Sequence, residues 1–177
     1  MDYFMMYQDV RVSNVAELIP GSLKLHTLTR EQIKNISITK TLYVKDRNNN
    51  EYPDYLESEG MLVSEKLKRI MSKYQRDAIF KTVVLIEKKT NRQEIYYLIS
   101  PPIIECASEE TVYDRRGSIV EFVLDKEKVG YTRIFCVRNY GNRIFVRLDV
   151  AESILRREPY GVSFVKVNVE KGGNTDG

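Results

Sequence analysis

The chain predicts a single α+β domain, a mixed and mostly antiparallel sheet carrying two or three short helices. One observation is the stretch from Tyr52 to Tyr97, which reads as turn, helix, apolar strand, turn and second strand without a gap. Another is a hairpin in which Arg133 to Arg138 and Arg143 to Arg147 flank Asn139-Tyr140-Gly141-Asn142, a turn whose Asn and Gly tolerate positive φ. Length agrees, since 177 residues suffice for one well-buried core and are short for two. The expected organisation is residues 1–51 as an N-terminal strand and loop region of the same domain, 52–170 as its core, and 171–177 as a disordered tail.

In chain order, residues 3 to 8 form a first strand with tyrosine and methionine on both faces. Ser13 caps a short helix over Asn14 to Leu18, which Pro20-Gly21 ends. Leu23-Lys24-Leu25-His26 alternates as a half-buried strand does, and Thr29 with Gln32 has the form of a capping box. Ile36, Ile38, Leu42 and Val44 suggest an extended segment, closed by the loop Asp46 to Asn50.

Pro53 fixes its own φ and pushes Tyr52 toward an extended conformation, so Tyr52 to Leu56 is a firm turn. Ser64 is the N-cap of a helix running to about Tyr74, with Glu65 in the first turn. Leu67, Ile70, Met71 and Tyr74 fall at i, i+3, i+4, i+7 and line one face. Phe80 to Ile86 is nearly continuous in apolar residues, as in a central strand covered on both faces. Ile95 to Ile99 is the return strand, stopped by Pro101-Pro102.

Glu105 to Arg116 lacks a clear period and reads as a loop, and Ile119 to Leu124 as a strand. After the hairpin, Asp149 and Glu152 suggest a second capping box before a short helix with Val150, Ala151, Ile154 and Leu155, ended by Pro159. Val162 to Val169 is a last strand with Val165, Val167 and Val169 on one face. The layout of Val63-Ser64, helix and strand from Phe80 is echoed by Val146 to Asp149, helix and strand from Val162. Two strand, helix, strand units around one sheet would produce that echo.

A composition of 42% hydrophobic and 30% charged residues excludes a largely disordered chain. The net charge of +3 is too small to imply nucleic acid. The excess is local: residues 61 to 100 hold nine basic and four acidic groups, whereas 101 to 177 hold twelve of each. Cys106 and Cys136 sit beside apolar residues and read as buried free thiols. The N-terminus has an acid where a signal peptide needs bases, and no apolar run approaches the roughly 18 residues that span a bilayer, so a cytoplasmic protein is expected.

The single histidine, His26, excludes a two-histidine zincin and any multi-histidine metal site. A dyad of His26 with Cys106 or Cys136 stays open, because dyads form in space, but a structural or surface histidine is the plainer reading. No phosphate-loop, dinucleotide or nucleophile-elbow motif occurs, and no cofactor or metal is expected. Glu105, Glu109, Glu110 and Asp114 form the one acid cluster, read as a solvated loop rather than as metal ligands or an acid and base pair.

Lys66, Arg69, Lys73 and Arg76 recur at i, i+3, i+7 and i+10, a basic stripe beside the apolar face of the main helix. Such a stripe is either a solvated face or a surface for phosphate or an acidic protein. Tyr52, Tyr55, Tyr96, Tyr97 and Tyr160 lie near turns and strand ends, closing the core edge or anchoring a partner.

The succession Tyr52-Pro53-Asp54-Tyr55-Leu56, Leu62-Val63-Ser64-Glu65-Lys66-Leu67 and Tyr96-Tyr97-Leu98 resembles a family of bacterial immunity proteins of polymorphic toxin systems, the group called immunity family eleven. Ile134-Phe135, Ile144-Phe145-Val146 and Gly161-Val162-Ser163-Phe164 are similar to that family's C-terminal half. The resemblance covers Tyr52 to Val169 and leaves the first fifty residues unsupported. In the segment after the Tyr-Tyr strand it leads one to expect an aspartate, where Ser108 stands.

The resemblance implies a cytosolic, non-catalytic protein that binds and neutralises a cognate toxin domain through a protein-protein interface. The candidate partner-binding residues are Lys66, Arg69, Lys73, Arg76, Glu109 and Glu110. The competing reading is a nucleic-acid-binding accessory protein using the basic helix face, with an enzyme based on His26 and a cysteine behind it.

Overall fold

A computed structural model describes residues 1–21, 24–37 and 39–170. The α+β class holds, but the expected single sheet is two five-stranded sheets with two small two-stranded ones, and four helices rather than two or three are present among the described residues.

In the first large sheet β1 (Tyr3–Gln8) lies between β12 (Ile144–Arg147) and β13 (Val162–Lys166), antiparallel to both. The order continues through β11 (Ile134–Val137) to a parallel edge strand β7 (Ile103–Ile104). In the second, β6 (Arg92–Ser100) lies between β5 (Ile79–Glu87) and β4 (Leu62–Ser64), antiparallel to both. Here β2 (Lys40–Tyr43) adds to one edge in parallel and β3 (Tyr55–Leu56) to the other antiparallel.

The helix α2 (Glu65–Tyr74) joins β4 to β5, and α4 (Leu148–Leu155) joins β12 to β13. In each case one antiparallel strand, β6 or β1, is inserted between the two strands that the helix connects. The sequence echo is therefore real as topology: each sheet contains one split β-α-β unit, two sheets rather than one.

Period-two alternation distributes the side chains. From the first sheet Met6, Ile134, Cys136, Ile144 and Val146 face the helices, and from the second Tyr55, Val63 and Ile99 do so. They meet Leu67, Ile70 and Met71 of α2 and Val150, Ala151 and Ile154 of α4 in one shared cluster. Burial of each such side chain contributes about 1.5 to 3 kcal/mol before entropy, enough to fasten both helices between the sheets.

The opposite face of the second sheet, with Leu62, Val83, Leu85, Tyr96 and Leu98, is covered by Ala16, Leu25 and Ile33 of the N-terminal region. The opposite face of the first is covered by Cys106, Phe122, Leu124 and Val129 over Phe135 and Phe145.

Several expectations hold locally. Thr29 and Gln32 form a reciprocal capping box on α1 (Arg30–Lys34), and Ser64 caps α2 by accepting the Leu67 N–H. Asn139 and Gly141 have positive φ in the turn between β11 and β12.

Others are overturned. There is no helix at Asn14–Leu18: Asn14 has φ of 53°, and Val15 and Leu18 bridge to Glu51 and Val44. Of the proposed strand at residues 23–26, Leu23 lies outside the described residues, and Leu25–Thr27 is a single 3-10 turn. Ile38 and the tail at 171–177 also lie outside the described residues. Strand β5 is paired on both edges, but only one of its faces, with Val83 and Leu85, is fully buried.

The second capping box does not form. The N-cap of α4 is Arg147, whose guanidinium instead clasps Asp149 at 2.6 and 2.8 Å. Residues 119–124 split into β9 (Ile119–Glu121), which pairs with β8 (Val112–Tyr113), and β10 (Val123–Leu124). A short helix α3 (Lys126–Val129), unexpected from sequence, is capped by Asp125. The last strand also divides: β13 leaves Val165 half exposed, Val167 turns into the core, and β14 (Asn168–Val169) pairs with β10.

Candidate functional site

Several of the residues that carried the family resemblance, Pro53, Asp54, Ser64, Lys66, Tyr96 and Gly161, converge on one joint. Asp54 is 9% exposed, and its carboxylate accepts hydrogen bonds from the Ser64 hydroxyl, from the Tyr160 N–H at 2.7 Å and from Lys66 Nζ at 3.2 Å. The Tyr96 hydroxyl donates to the Pro53 carbonyl at 2.6 Å. Gly161 has φ of +69°, and a Cβ there would stand 2.3 Å from Pro53 Cβ. The turn at Pro53, the start of α2, strand β6 and the entry to β13 are thus tied together. With Ser64 both donating and accepting, this cluster is structural.

Above that joint, α2 and α4 lie side by side and leave a groove of about 560 Å³, lined by Glu65, Lys66, Arg69, Ile70, Lys73 and Tyr74 with Ser153 of the facing helix and Arg157 of the turn just beyond it. It runs into a second hollow of about 640 Å³ that shares Tyr74, Ser153 and Arg157 and adds Asp149, Glu152 and Arg156. Lys66, Arg69 and Lys73 therefore do come together.

Arg76 does not join them. The helix ends at Tyr74, Gln75 is its C-cap, and Arg76 sits on the exposed turn beyond. The reason is at Gln75, whose side-chain oxygen accepts the N–H groups of Arg133 and Ile134 and draws the chain off the helix axis.

The charges in the groove are unevenly matched. Arg69 pairs with Glu65 at 2.8 Å, and hydrogen bonds from Tyr97 and Arg69 hold the Glu65 carboxyl below its ordinary range. Arg156 approaches Glu152 at 3.6 Å, Arg147 holds Asp149 at 2.6 Å, and Lys66 holds Asp54. Lys73 and Arg157 have no carboxylate partner within 4 Å among the described residues. Arg157 donates instead to the Ser153 carbonyl and hydroxyl at 2.8 and 2.9 Å, which fixes its guanidinium without neutralising it.

Glu109 and Glu110 lie elsewhere, on an exposed turn at the base of the β8–β9 arm. Ser108, where an aspartate was expected, is buried and its hydroxyl accepts the Glu110 N–H. Thr111 clamps the arm's base through two hydrogen bonds with the Val123 backbone. The arm leaves Val112, Tyr113 and Val120 exposed.

Sequence reasoning missed Ser153, Arg156 and Arg157, which form the second wall of the groove. Their signal was present in the echo of the two helices and in the Arg pair that follows the apolar residues of α4.

His26 is exposed and Cys136 lies on the floor of a separate hollow of about 370 Å³ that His26 also lines. Cys136 Sγ contacts Met61 Sδ at 3.9 Å, and burial pushes the Cys106 and Cys136 thiols up to about 12, opposite to the lowered values of reactive cysteines. Among the described residues no three His, Cys, Asp or Glu side chains converge as a metal site would require, and no helix is long and apolar enough to cross a membrane.

These features define a class of protein: an α+β fold of two split β-α-β units that presents a charged groove between its two linking helices. The chain belongs to the immunity protein family Imm11, whose sequence pattern matches residues 7–169. The match reaches well upstream of Tyr52 and takes in the N-terminal region that the motifs alone had left unsupported. No curated protein matches the chain.

Proposed function

We propose that this protein is a non-catalytic immunity protein of a bacterial polymorphic toxin system, which acts in the cytoplasm by binding a cognate toxin domain and neutralising it as a stoichiometric complex. The observation that carries this reading is the family match over residues 7–169, which spans both sheets, both linking helices and the N-terminal cover. The geometry is consistent with a binding role. The motif residues Pro53, Asp54, Ser64, Tyr96 and Gly161 are consumed in holding the scaffold together, and both free thiols are buried. No observation favours the nucleic-acid reading, because Lys66 and Arg69 are engaged by carboxylates and Arg76 leaves the helix.

Co-expression with the toxin domains encoded immediately beside this gene tests the reading. Restored growth with one of them, together with a one-to-one complex of the purified proteins, is the expected result. Rescue by none of them and no complex with any would sink it.

A further inference from the structure

We propose that the groove between α2 and α4 is the face that binds the toxin, and that it takes an acidic segment of that toxin, presenting carboxylates beside an apolar side chain. This rests on the immunity reading above and adds to it the surface and the chemistry of the contact. The groove follows from the fold. Two split β-α-β units place their linking helices together, and each helix spends its inner face on the shared core, so their outer flanks face one another across a hollow.

The floor of that hollow is Ile70 and Tyr74, an apolar residue and a half-buried ring, which suits a protein partner. Lys73 and Arg157 line the groove with that ring, and the Arg133 guanidinium, outside the lining, lies 5.8 Å from the ring's centre. The acids that line the groove, Glu65, Asp149 and Glu152, are each matched by an arginine of this chain. Two cations without carboxylate partners among the described residues, Lys73 and Arg157, are left in this concave surface. Partner carboxylates complete such an arrangement and gain in both affinity and on-rate.

A nucleic-acid backbone fits it less well. Phosphate recognition is built from cations along an extended track, and here Glu65, Glu152 and Asp149 stand in that track. The same acids are compatible with a protein surface of mixed charge, where they reject partners of the wrong pattern.

The test uses the full chain and the toxin domain encoded beside its gene, with affinity measured by calorimetry and protection by growth. K73E/R157E is compared with wild type, with the milder K73A/R157A, and with R115E/R116E at the tip of the arm as a control. The double reversal is expected to weaken binding by about 100-fold or more and the alanine pair by about tenfold, with the arm control unchanged and wild-type affinity falling as salt rises. Thermal unfolding of each variant separates lost contact from lost fold, and if the reversal unfolds, the alanine pair decides.

A K73E/R157E protein that folds, binds and protects like wild type overturns the groove assignment while leaving the immunity function intact. Failure of wild type itself to bind any such toxin overturns both. Tighter binding of an RNA or DNA oligonucleotide than of the toxin, lost in K73E/R157E, overturns the acidic-protein assignment in favour of nucleic acid.

Discussion

Asp54 and Tyr160 are joined twice: the Asp54 N–H donates to the Tyr160 carbonyl at 2.7 Å, and the Tyr160 N–H donates to Asp54 Oδ2 at 2.7 Å. The residues are more than a hundred positions apart, and this contact fastens the turn before β3 to the lead into β13. Because the same carboxylate also holds Ser64 and Lys66, D54A leaves several polar groups unsatisfied at once. A loss of about 3 kcal/mol in urea unfolding is expected. D54N is expected to lose less, about 1 to 2 kcal/mol, since one amide oxygen can still accept. Equal, near-zero effects of both would contradict the role given to this joint.

Gly161 makes the same joint sensitive to sterics. Its φ of +69° is costly for an L side chain, and the added Cβ would meet Pro53 Cβ at 2.3 Å. G161A is therefore expected to cost at least about 2 kcal/mol. The comparison is Gly141, with φ of +75° and nothing within 4 Å of its would-be Cβ, where alanine costs about 1 kcal/mol from the backbone alone. Thermal midpoints of the two variants, measured side by side, check the difference.

What was legible in the sequence was what short-range chemistry decides. Thr29 with Gln32 and Ser64 before Glu65 satisfy helix N–H groups from within a few residues, and Asn139 to Asn142 carries its own turn preference. The failures are places where a partner outside the local pattern wins. Ser13 resembles a cap for a helix over Asn14 to Leu18, but pairing with Glu51 and Val44 pulls Val15 and Leu18 into extended bridges. Asp149 resembles part of a capping box, but the Arg147 guanidinium takes its carboxylate. The groove was half legible for the same reason: Lys66, Arg69 and Lys73 lie on one periodic helix, whereas Ser153 and Arg157 reach it only through the packing of α4 against α2.

The buried thiols and phenols predict an alkaline limit to stability. Burial pushes Cys106, Cys136 and Tyr52 up to about 12, and raises Tyr55 and Tyr96 well above their ordinary value too. In the unfolded chain these groups ionise at about pH 8.5 to 10. The unfolded state therefore binds fewer protons than the folded state above that range. The stability these groups confer is complete below about pH 8.5 and is lost as pH rises toward the folded values. Unfolding midpoints measured from pH 7 to 11 are expected to be steady at first and then fall. A disulfide reagent at pH 8 is expected to label both cysteines slowly in the native protein and at once in urea. Immediate labelling of the native protein would contradict the burial of the two thiols.

Two buried tyrosines give opposite predictions for the same substitution. Tyr96 on β6 donates its hydroxyl to the Pro53 carbonyl, so Y96F removes a buried hydrogen bond and strands an acceptor. Tyr55 on β3 is fully buried, and its hydroxyl has no hydrogen-bond partner among the described residues. An unpaired buried hydroxyl costs about 1 to 3 kcal/mol of desolvation that Y55F would relieve, and the ring that fills the core is retained. Y96F is thus expected to destabilise by about 1 to 2 kcal/mol, and Y55F to be neutral or stabilising by up to about 1 kcal/mol. Urea titrations of the two variants decide it, because a polar group's contribution here depends on its partner rather than on its burial. Equal destabilisation by both changes would mean that the Tyr55 hydroxyl is satisfied after all.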